Sequence, residues 1–575
     1  MYTALTHSIC LVQVGRQDLD PLASLRGQSG WTRDAIEHAI ERRKRDIADH
    51  YQAIRRLESE ILALKSELNT TISIARLPAE VLCEVFAACL LPLKRPLYWR
   101  FKLLHVCRGW RQVALSCPQL WTTIYPTRPE VVTTLLTLSR TLPLDLRFEG
   151  CARKRNAFEM HRLVLAQMSR VRRYAPFVVD DQIARLLNSI ESTLEAPLLE
   201  DLQVDLSEAR TEVPAFWALS MPCLQSLKLT MPRHQSSKLR DGTLGILMSL
   251  VRTSLTSLTL VNHRADPTEF IDVLASLPSL KCIFLRHPIQ STLEEDVLPP
   301  PIRKVILPQL ELLDMLSEGG YGLEHAFVLS HLRIPDKAKL HFRAESPDTF
   351  EETAQIIPCL HAKLLTSSGS RMYPRSMHIN LSLGGDLVIT LWMDEQTLFD
   401  IDSQNTWEDS TGKLHLVLFD IQTDIINDII DNFLAGPCFI SMTTMYIEYT
   451  HIKLSVWAAK FAVMRNLREL GMAAETLDAE FIEAFTGSDA AEDYIFPSLK
   501  VLKISVAKRY SSGRSLQDSL GNLPFALKRR QEMGSYLDKL EVSCPIDMIN
   551  RDYETSIRQY AAEVVVKVEE FDEDF

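Results

Sequence analysis

The sequence lacks the long apolar runs that would anchor it in a membrane. No stretch approaches eighteen consecutive apolar residues, so no membrane span is predicted. The first fifteen residues are fairly apolar but have no basic leading segment, which makes them a poor secretory signal. The eleven cysteines are scattered and include no Cys-x-x-Cys pair, which favours reduced thiols over a disulfide frame. We therefore expect a cytoplasmic and/or nuclear protein.

Motifs that mark an enzyme are also missing. There is no Gly-x-Gly-x-x-Gly, no phosphate-binding loop and no Gly-x-Ser-x-Gly nucleophile elbow. The fifteen histidines show no His-Glu-x-x-His and no Cys/His set with zinc spacing. The sequence therefore predicts a chain that is not an enzyme, with no catalytic residues, no metal site and no cofactor. Because triads assemble in space rather than in sequence, an intracellular hydrolase stays open as an alternative without positive support.

Composition bounds the number of domains and the class of partner. At 575 residues the chain is too long for one ordinary core, so two or more domains or an extended repeat are expected. The net charge of −11 disfavours nucleic acid as a partner. Basic clusters at 42–45 and from 153–155 through Arg172-Arg173 are interpreted as solvated helix faces, with nuclear import or phosphate binding as the alternative.

A heptad pattern runs through residues 36–71. Its apolar seam consists of Ile36, Ile40, Ile47, Ile54, Leu57, Ile61, Leu64 and Leu68. Isoleucine at the first seam position with leucine at the second favours a two-stranded parallel coiled coil, although Arg43 and His50 occupy seam positions and weaken its first half. We predict a continuous helix over 36–72 that pairs two copies of the chain. The alternative is a lone amphipathic helix that folds back on its own chain.

Two apolar helical faces follow between residues 74 and 125. Leu77-Pro78 indicates a helix start, because proline in the first turn loses no needed hydrogen bond and Glu80 lies near the positive end of the helix dipole. Val81, Leu82, Val85, Phe86 and Leu90 then recur at helical spacing, and a second face contains Leu103, Leu104, Val106, Cys107, Trp110, Val113, Ala114 and Leu115. The interval 91–100 contains two prolines and is expected to break the helices apart.

The order of these residues resembles the F-box of mushroom-type (basidiomycete) fungal proteins. The resemblance is carried by Leu77-Pro78, Phe86, Val106-Cys107-Arg108-Gly109-Trp110-Arg111 and Pro118-Gln119-Leu120-Trp121, and it covers about a tenth of the chain. An F-box docks a substrate receptor onto the Skp adaptor of a cullin-RING ubiquitin ligase. The resemblance implies that the adaptor contact falls on Leu77, Pro78, Val81, Leu82, Val85, Phe86, Leu104, Val106, Cys107 and Trp110. The alternative is an ordinary helical hairpin packed on the rest of the chain.

A Leu-x-x-Leu-x-Leu pattern recurs through the second half of the sequence. It begins at Leu199, Leu224, Leu255, Leu280 and Leu310 and returns, after a gap, at Leu467, Leu499 and Leu537. This spacing is typical of a leucine-rich-repeat-like solenoid with one strand and one helix per repeat, and its strands should lie in a mainly parallel sheet. Candidate helices such as 264–276 lie between the strands. The alternative is a compact α/β domain with chance leucine spacing.

The repeat is hard to trace between about 335 and 460. Residues 377–383 and 414–418 alternate like strands, and Gly384-Gly385-Asp386 indicates a hairpin turn before the apolar run 387–391. A short strand is also expected within 142–148. We expect 335–460 to form an irregular part of the same sheet.

These patterns predict an α/β chain with an N-terminal coiled-coil helix, a small all-helical F-box module and an irregular leucine-rich-repeat-like solenoid. The expected boundaries are a disordered N-terminus over 1–30, the coiled-coil helix over 36–72, the F-box over 74–125, a linker strand and helix over 126–190, the solenoid over 190–545, and a terminal helix with an acidic tail over 546–575.

The resemblance implies the substrate-recognition subunit of an SCF-type (Skp–cullin–F-box) ubiquitin ligase. The F-box would bind the Skp adaptor and through it the cullin, and the solenoid would bind a protein whose identity the sequence does not give. The rival is a coiled-coil and repeat scaffold that binds Skp without causing degradation. The target's own chemistry is not readable, because fold does not fix a partner.

Overall fold

The structure is a computed structural model in which the chain divides into two compact units, residues 1–120 and 121–575. It describes residues 32–90, 96–125, 128–148, 156–178, 195–207, 220–231, 254–262, 267–286, 304–318, 322–345, 350–365, 373–381, 386–393, 396, 413–419, 421, 423–448, 452–487, 494–506, 520–544 and 551–568. The predicted disorder over 1–30 and the acidic residues after 568 lie outside these ranges.

The first unit begins with one long helix, α1, Arg33–Thr71. The sequence prediction of a continuous helix here is confirmed. Its 39 residues correspond to about 58 Å at 1.5 Å per residue. None of its residues is buried, so the helix face that carries the heptad seam is exposed to solvent along its length.

Three shorter α-helices follow in the described residues of the first unit: α2, Ala79–Leu90; α3, Pro96–Leu103; and α4, Arg108–Ser116. A 3-10 turn, Ser73–Arg76, separates α1 from α2. The expectation that 91–100 breaks the helices apart is wrong for its second half, because Pro96 opens α3. Proline fits there because the first residues of a helix have no intrahelical acceptor for their N–H groups.

In its described residues, the second unit consists of strands with helices between many of them. The strands are β1 Thr123–Ile124, β2 Leu144–Arg147, β3 Val171–Val178, β4 Asp201–Asp205, β5 Ser226–Thr230, β6 Ser257–Val261, β7 Cys282–Arg286, β8 Val305–Ile306, β9 Leu312–Glu318, β10 Leu332–Arg333, β11 Lys339–Glu345, β12 Ser376–Leu381, β13 Leu387–Trp392, β14 Leu414–Phe419, β15 Thr444–Glu448, β16 Glu469–Ala473, β17 Val501–Ser505, β18 Leu537–Cys544 and β19 Ala561–Val568.

The helices in the described residues of this unit are α5 Pro129–Leu138, α6 Ala157–Leu165, α7 Pro267–Ala275, α8 Gly322–His331, α9 Phe350–Leu365, α10 Thr423–Leu434, α11 Leu454–Lys460, α12 Ala479–Thr486, α13 Leu523–Glu532 and α14 Arg551–Ile557. Local sequence features mark the first turns of two of these helices. Pro129 lies in the first turn of α5, and the Asp478 carboxylate caps α12 by accepting a hydrogen bond from the Phe481 amide at 2.8 Å. No helix in the described ranges combines the length and the apolar character needed to cross a membrane.

Seventeen of these strands form one sheet, and its pairings give the order β1-β2-β3-β4-β5-β6-β7-β9-β11-β14-β13-β12-β15-β16-β17-β18-β19. Every pairing is parallel except the two made by β13. The short strands β8 and β10 pair separately with each other. The sheet includes β1 to β3, ahead of residue 190, and ends with β19, which the sequence did not predict.

The repeated leucine motif sets the register of this sheet. Leu227 pairs with Leu258, and Leu258 pairs with Ile283, so the same motif position recurs on neighbouring strands. The row of buried residues continues through Leu202, Leu313, Leu340, Leu414, Leu391, Met377, Met445, Leu470, Leu502 and Leu540. All eight motif segments are therefore strands of one mainly parallel sheet, as predicted.

The described strands between residues 335 and 460 belong to the same sheet, but their order in the sheet differs from their order along the chain. β12 and β13 pair antiparallel, as the Gly-Gly-Asp hairpin predicts, and β14 then returns to lie between β13 and β11. The next strand, β15, pairs with β12. The predicted strand within 142–148 is confirmed as β2, and the candidate helix within 264–276 is α7, whose Phe270, Ile271, Val273 and Leu274 are buried.

Candidate functional site

The start of α2 presents apolar side chains on both sides of the helix. The Leu82 amide donates to the Pro78 carbonyl at 3.0 Å, so the Leu-Pro pair forms the first turn as the sequence predicts. Leu82 and Phe86 point inward and are 4% and 2% exposed. Leu77 and Val81 point outward and are 38% and 43% exposed. One helix therefore supplies both the interior of the module and an apolar surface.

The Cys-x-x-Trp-Arg part of the motif builds the connection between α3 and α4. The Trp110 amide donates to the Cys107 Sγ at 3.4 Å, so Cys107 caps the N-terminus of α4. The Arg111 Nε donates to the Leu104 carbonyl at 2.7 Å. The Trp110 ring contacts the Phe86 ring, with 4.9 Å between centroids. Cys107, Trp110 and Arg111 therefore make contacts that hold the fold of the module together.

Cys83 on α2 lies beside Cys117, which follows the last residue of α4. Burial, a hydrogen bond with Cys117 and the charge at that residue raise the pKa of the Cys83 thiol to about 12, and Glu80 and Glu84 act in the same direction. Cys117 itself is buried. The Cys83 thiol is therefore protonated at neutral pH, and it is a poor nucleophile and metal ligand in that form.

The ten residues that the sequence assigned to the adaptor contact fall into three groups. Leu77, Pro78, Val81 and Val106 are exposed; Val85, Leu104, Cys107 and Trp110 are partly buried; Leu82 and Phe86 are buried. Only the first two groups can contact a partner without rearrangement. The remaining two contribute by supporting the surface from inside.

The first unit also exposes large apolar side chains that the sequence did not assign to the adaptor contact. They are Ile72, Ile74, Trp99, Phe101 and Leu115, and the Lys102 Nζ lies 4.6 Å from the centre of the Trp99 ring. Trp99 was missed because 91–100 was interpreted as a break between helices, and Phe101 directly follows that interval. Large exposed aromatic side chains close together in a short segment, as Trp99 and Phe101 are on α3, mark a protein-binding surface. We call the set Leu77, Pro78, Val81, Trp99, Phe101 and Val106 the exposed apolar surface.

Comparison with known protein families agrees with this geometry. Residues 74–127 match the F-box-like family model. An F-box-like domain is a protein-interaction module that binds a Skp-type adaptor, and such domains are typically non-enzymatic. The match supports an F-box protein over about a tenth of the chain. No curated protein matches the chain.

The seam residues of α1 are all exposed to solvent. Ile40, Ile47, Ile54, Leu57, Ile61, Leu64 and Leu68 are each about half exposed or more. Ion pairs such as Arg33–Glu37 and Lys44–Glu41 lie within the helix and are highly exposed, so they add little to stability. The structure therefore establishes the helix, and the pairing of two copies stays a prediction.

The second unit carries a row of polar residues across neighbouring strands, on the face opposite the leucine row. Asp314, His341, His415, Thr390 and His378 are aligned by the sheet register. Asp314 accepts two 2.8 Å hydrogen bonds from Arg343 Nη2, and both side chains are largely buried. The Thr390 hydroxyl lies 2.9 Å from His415 Nδ1.

Two histidines of this polar row, His341 and His415, are neutral at physiological pH. Burial lowers the pKa of His415 to about 4, with the neighbouring His341, Arg343 and His378 acting in the same direction. Burial also lowers the pKa of His341. In the described ranges, no three His, Cys, Asp or Glu side chains are grouped as metal ligands. The Asp314–Arg343 and Thr390–His415 contacts connect neighbouring strands, whereas the buried Nε2 atoms of His341 and His415 have no hydrogen-bond partner among the described residues.

Proposed function

We propose that the chain is the substrate-recognition subunit of an SCF-type ubiquitin ligase. The observation that carries the proposal is the coincidence of the F-box-like match at 74–127 with the exposed apolar surface. In this role α2 to α4 bind a Skp adaptor that also binds a cullin. The second unit, with its 17-stranded sheet, binds a target protein.

The mechanism in this proposal is proximity. Holding a target near the ubiquitin-loaded enzyme raises the effective concentration of its lysines and requires no bond chemistry on this chain. The proposed receptor is accordingly not an enzyme and needs no cofactor. A cytoplasmic and/or nuclear location follows from the partner and from the scattered cysteines.

The second unit is proposed to be a leucine-rich-repeat-like solenoid. Support comes from the register, since each motif leucine stacks on the equivalent residue of the next strand. Each strand–helix unit leaves its apolar strand residues uncovered until a neighbour stacks on it. A solenoid offers a long surface of variable side chains, which suits target recognition.

The exposed seam of α1 is proposed to pair two copies in parallel. In the parallel heptad arrangement Glu60 of one helix lies beside Lys65 of its partner, an attractive pair, and no like-charged pair flanks the seam. Arg43 and His50 would meet their own equivalents and weaken the first half. Two receptors held in this way would present two target-binding surfaces.

The test is capture of partners by the full-length chain from cells. Recovery of Skp and cullin supports the proposal, and a matched variant with Leu77→Glu and Val81→Glu should recover neither. Leu115→Glu is the control, because Leu115 is a similarly exposed apolar residue on α4. Accumulation of a bound target under proteasome inhibition separates a receptor from a non-degradative scaffold. Capture of the target without accumulation would favour the scaffold.

A further inference from the structure

The last strand of the sheet, β19, has an open edge. In the part of the chain that the structure describes, the residue pairings of β19 are all with β18. It is eight residues long, contains no proline, and has three consecutive valines, Val564 to Val566, that are half-buried. Proteins usually protect such edges, because unpaired peptide groups on a long apolar strand recruit another strand.

The peptide groups on this open edge can be identified from the ladder. Alternate residues of a strand direct their N–H and C=O groups to opposite sides. Lys539 donates to Lys500, and Ser543 accepts from Val506, so these residues of β18 face β17. Leu540 and Val542 therefore face β19. By the observed register, Val564 and Val566 then direct their peptide groups away from β18.

The charges on β19 are arranged symmetrically about Val565. Glu563 lies two residues before it and Lys567 two residues after it, on the same face of the strand. Within the chain, Lys567 Nζ lies 2.6 Å from Glu541 Oε1, and Lys539 Nζ lies 2.9 Å from Glu541 Oε2. Glu563 is aligned with Lys539 by the register. On this face of β18 and β19, each of these charged side chains therefore has a neighbour of opposite charge.

We propose that β19 pairs antiparallel with β19 of a second copy of this chain, about a two-fold axis at Val565. Glu563 then faces Lys567 of the other copy twice, and Val564 faces Val566 twice. The outward peptide groups of Val564 and Val566 meet their counterparts as hydrogen-bonded pairs. The Glu563–Lys567 pairs occupy the non-hydrogen-bonded positions, where opposite residues approach most closely, about 4.5 Å between Cα atoms.

Only this register combines hydrogen bonds from the outward peptide groups of Val564 and Val566 with Glu563–Lys567 ion pairs. Moving the axis to Val564 places Glu563 opposite Val565, and moving it to Val566 places Lys567 opposite Val565, so both lose the ion pairs. With the axis at Val565 the alternating charges continue from one sheet into the next. The interface is isologous, as in most symmetric dimers, and it is independent of the F-box and of the α1 seam.

Charge exchange tests the pairing in the full-length chain. Glu563→Lys and Lys567→Glu should each weaken self-association by about tenfold or more, because two attractive pairs become two repulsive ones. An equimolar mixture of the two variants should associate, since every pair is then attractive. The double variant Glu563→Lys/Lys567→Glu should also associate. The double variant lacks the Lys567–Glu541 contact within the chain, as Lys567→Glu does. It therefore controls for the loss of that contact.

Sedimentation velocity gives the mass in each case, and a disulfide locates the contact. Val565→Cys should form an intermolecular disulfide under mild oxidation, whereas Val564→Cys should not, because residue 564 faces 566. Equal masses for the parent and both single variants, with no excess cross-linking at 565, would overturn the proposal. Loss of association in the single variants without recovery in the mixture would overturn the antiparallel register.

Discussion

The ring of Phe86 on α2 packs against the ring of Trp110 on α4, with 4.9 Å between centroids and a tilt of 55°. These two residues lie in the two halves of the motif that resembles an F-box. The contact closes the helical module, and it leaves Leu77 and Val81 on the outer side of α2. Stability and adaptor binding can therefore be separated by mutation.

Phe86→Ala should destabilise the first unit. Removing a large buried aromatic side chain typically costs about 3–5 kcal/mol, and Phe86 is 2% exposed. Leu77→Glu should change the free energy of unfolding by less than about 0.5 kcal/mol, because the side chain is on the surface. Urea unfolding followed by circular dichroism measures both. Equal effects of the two substitutions would contradict the assignment of interior and surface.

Cys107→Ala should weaken α4 by about 1 kcal/mol, because the N-cap acceptor for the Trp110 amide is lost. Cys107→Ser should retain or increase stability, since a hydroxyl is a better capping group than a thiol. The comparison is made by chemical denaturation of the full-length chain. If serine is as destabilising as alanine, Cys107 acts through packing and not through the cap.

Breaking the buried Asp314–Arg343 pair should be costly. Arg343→Met leaves the Asp314 carboxylate buried without its bidentate partner, a change that typically costs about 3–5 kcal/mol. The double variant Asp314→Leu/Arg343→Met removes both charges and should recover much of the loss. Additive effects in this double-mutant cycle would show that the two residues are not coupled.

The stability of the second unit should fall in acid. Burial holds the pKa of His415 at about 4, below its ordinary value of about 6.5. The unfolded chain therefore binds the proton more readily, and the contribution is complete above about pH 6.5 and is lost as the pH falls toward 4, by on the order of 3 kcal/mol. Burial also lowers the pKa of His161. The contribution of His415 is therefore measured as the difference in acid loss between the parent chain and a His415 variant.

Urea unfolding at pH 7 and pH 4.5 should show a smaller acid loss for His415→Gln than for the parent chain. Glutamine can retain a hydrogen bond to Thr390 but takes up no proton. An unchanged acid loss would mean that His415 is not the titrating group.

The α1 seam can be tested with a control on the same helix. Ile54→Glu/Ile61→Glu should reduce the mass of the full-length chain in light scattering, because it places charges in the proposed seam. Leu62→Glu should not, since Leu62 is a similarly exposed apolar residue off the seam. Equal behaviour of the two variants would remove the support for pairing through α1.

The sequence predicted the elements whose apolar residues recur with a fixed period. The seven-residue spacing of Ile40 to Leu68 predicts α1, and the Leu-x-x-Leu-x-Leu segments predict eight strands of the main sheet. Both patterns involve residues that are close in the sequence, so they can be recognised without knowing the fold. The helix start at Leu77-Pro78 is local in the same way.

Features that depend on distant partners were not predictable. The placement of β14 between β11 and β13 is decided by pairing across gaps of more than 20 residues, which no local pattern encodes. The inward and outward sides of α2 depend on Trp110, so the sequence could not separate Phe86 from Leu77. Pro96 indicated a break, although a proline also fits the first turn of a helix.

Adaptor binding is measured most directly by calorimetric titration of the purified full-length chain with a purified Skp-type adaptor. We expect a one-to-one complex that Leu77→Glu/Val81→Glu weakens by about a hundredfold or more, since apolar residues at the centre of an interface carry much of its binding energy. Leu115→Glu should bind like the parent chain. No detectable binding of the folded parent chain, or equal binding by the double variant, would contradict an adaptor-binding F-box at this surface.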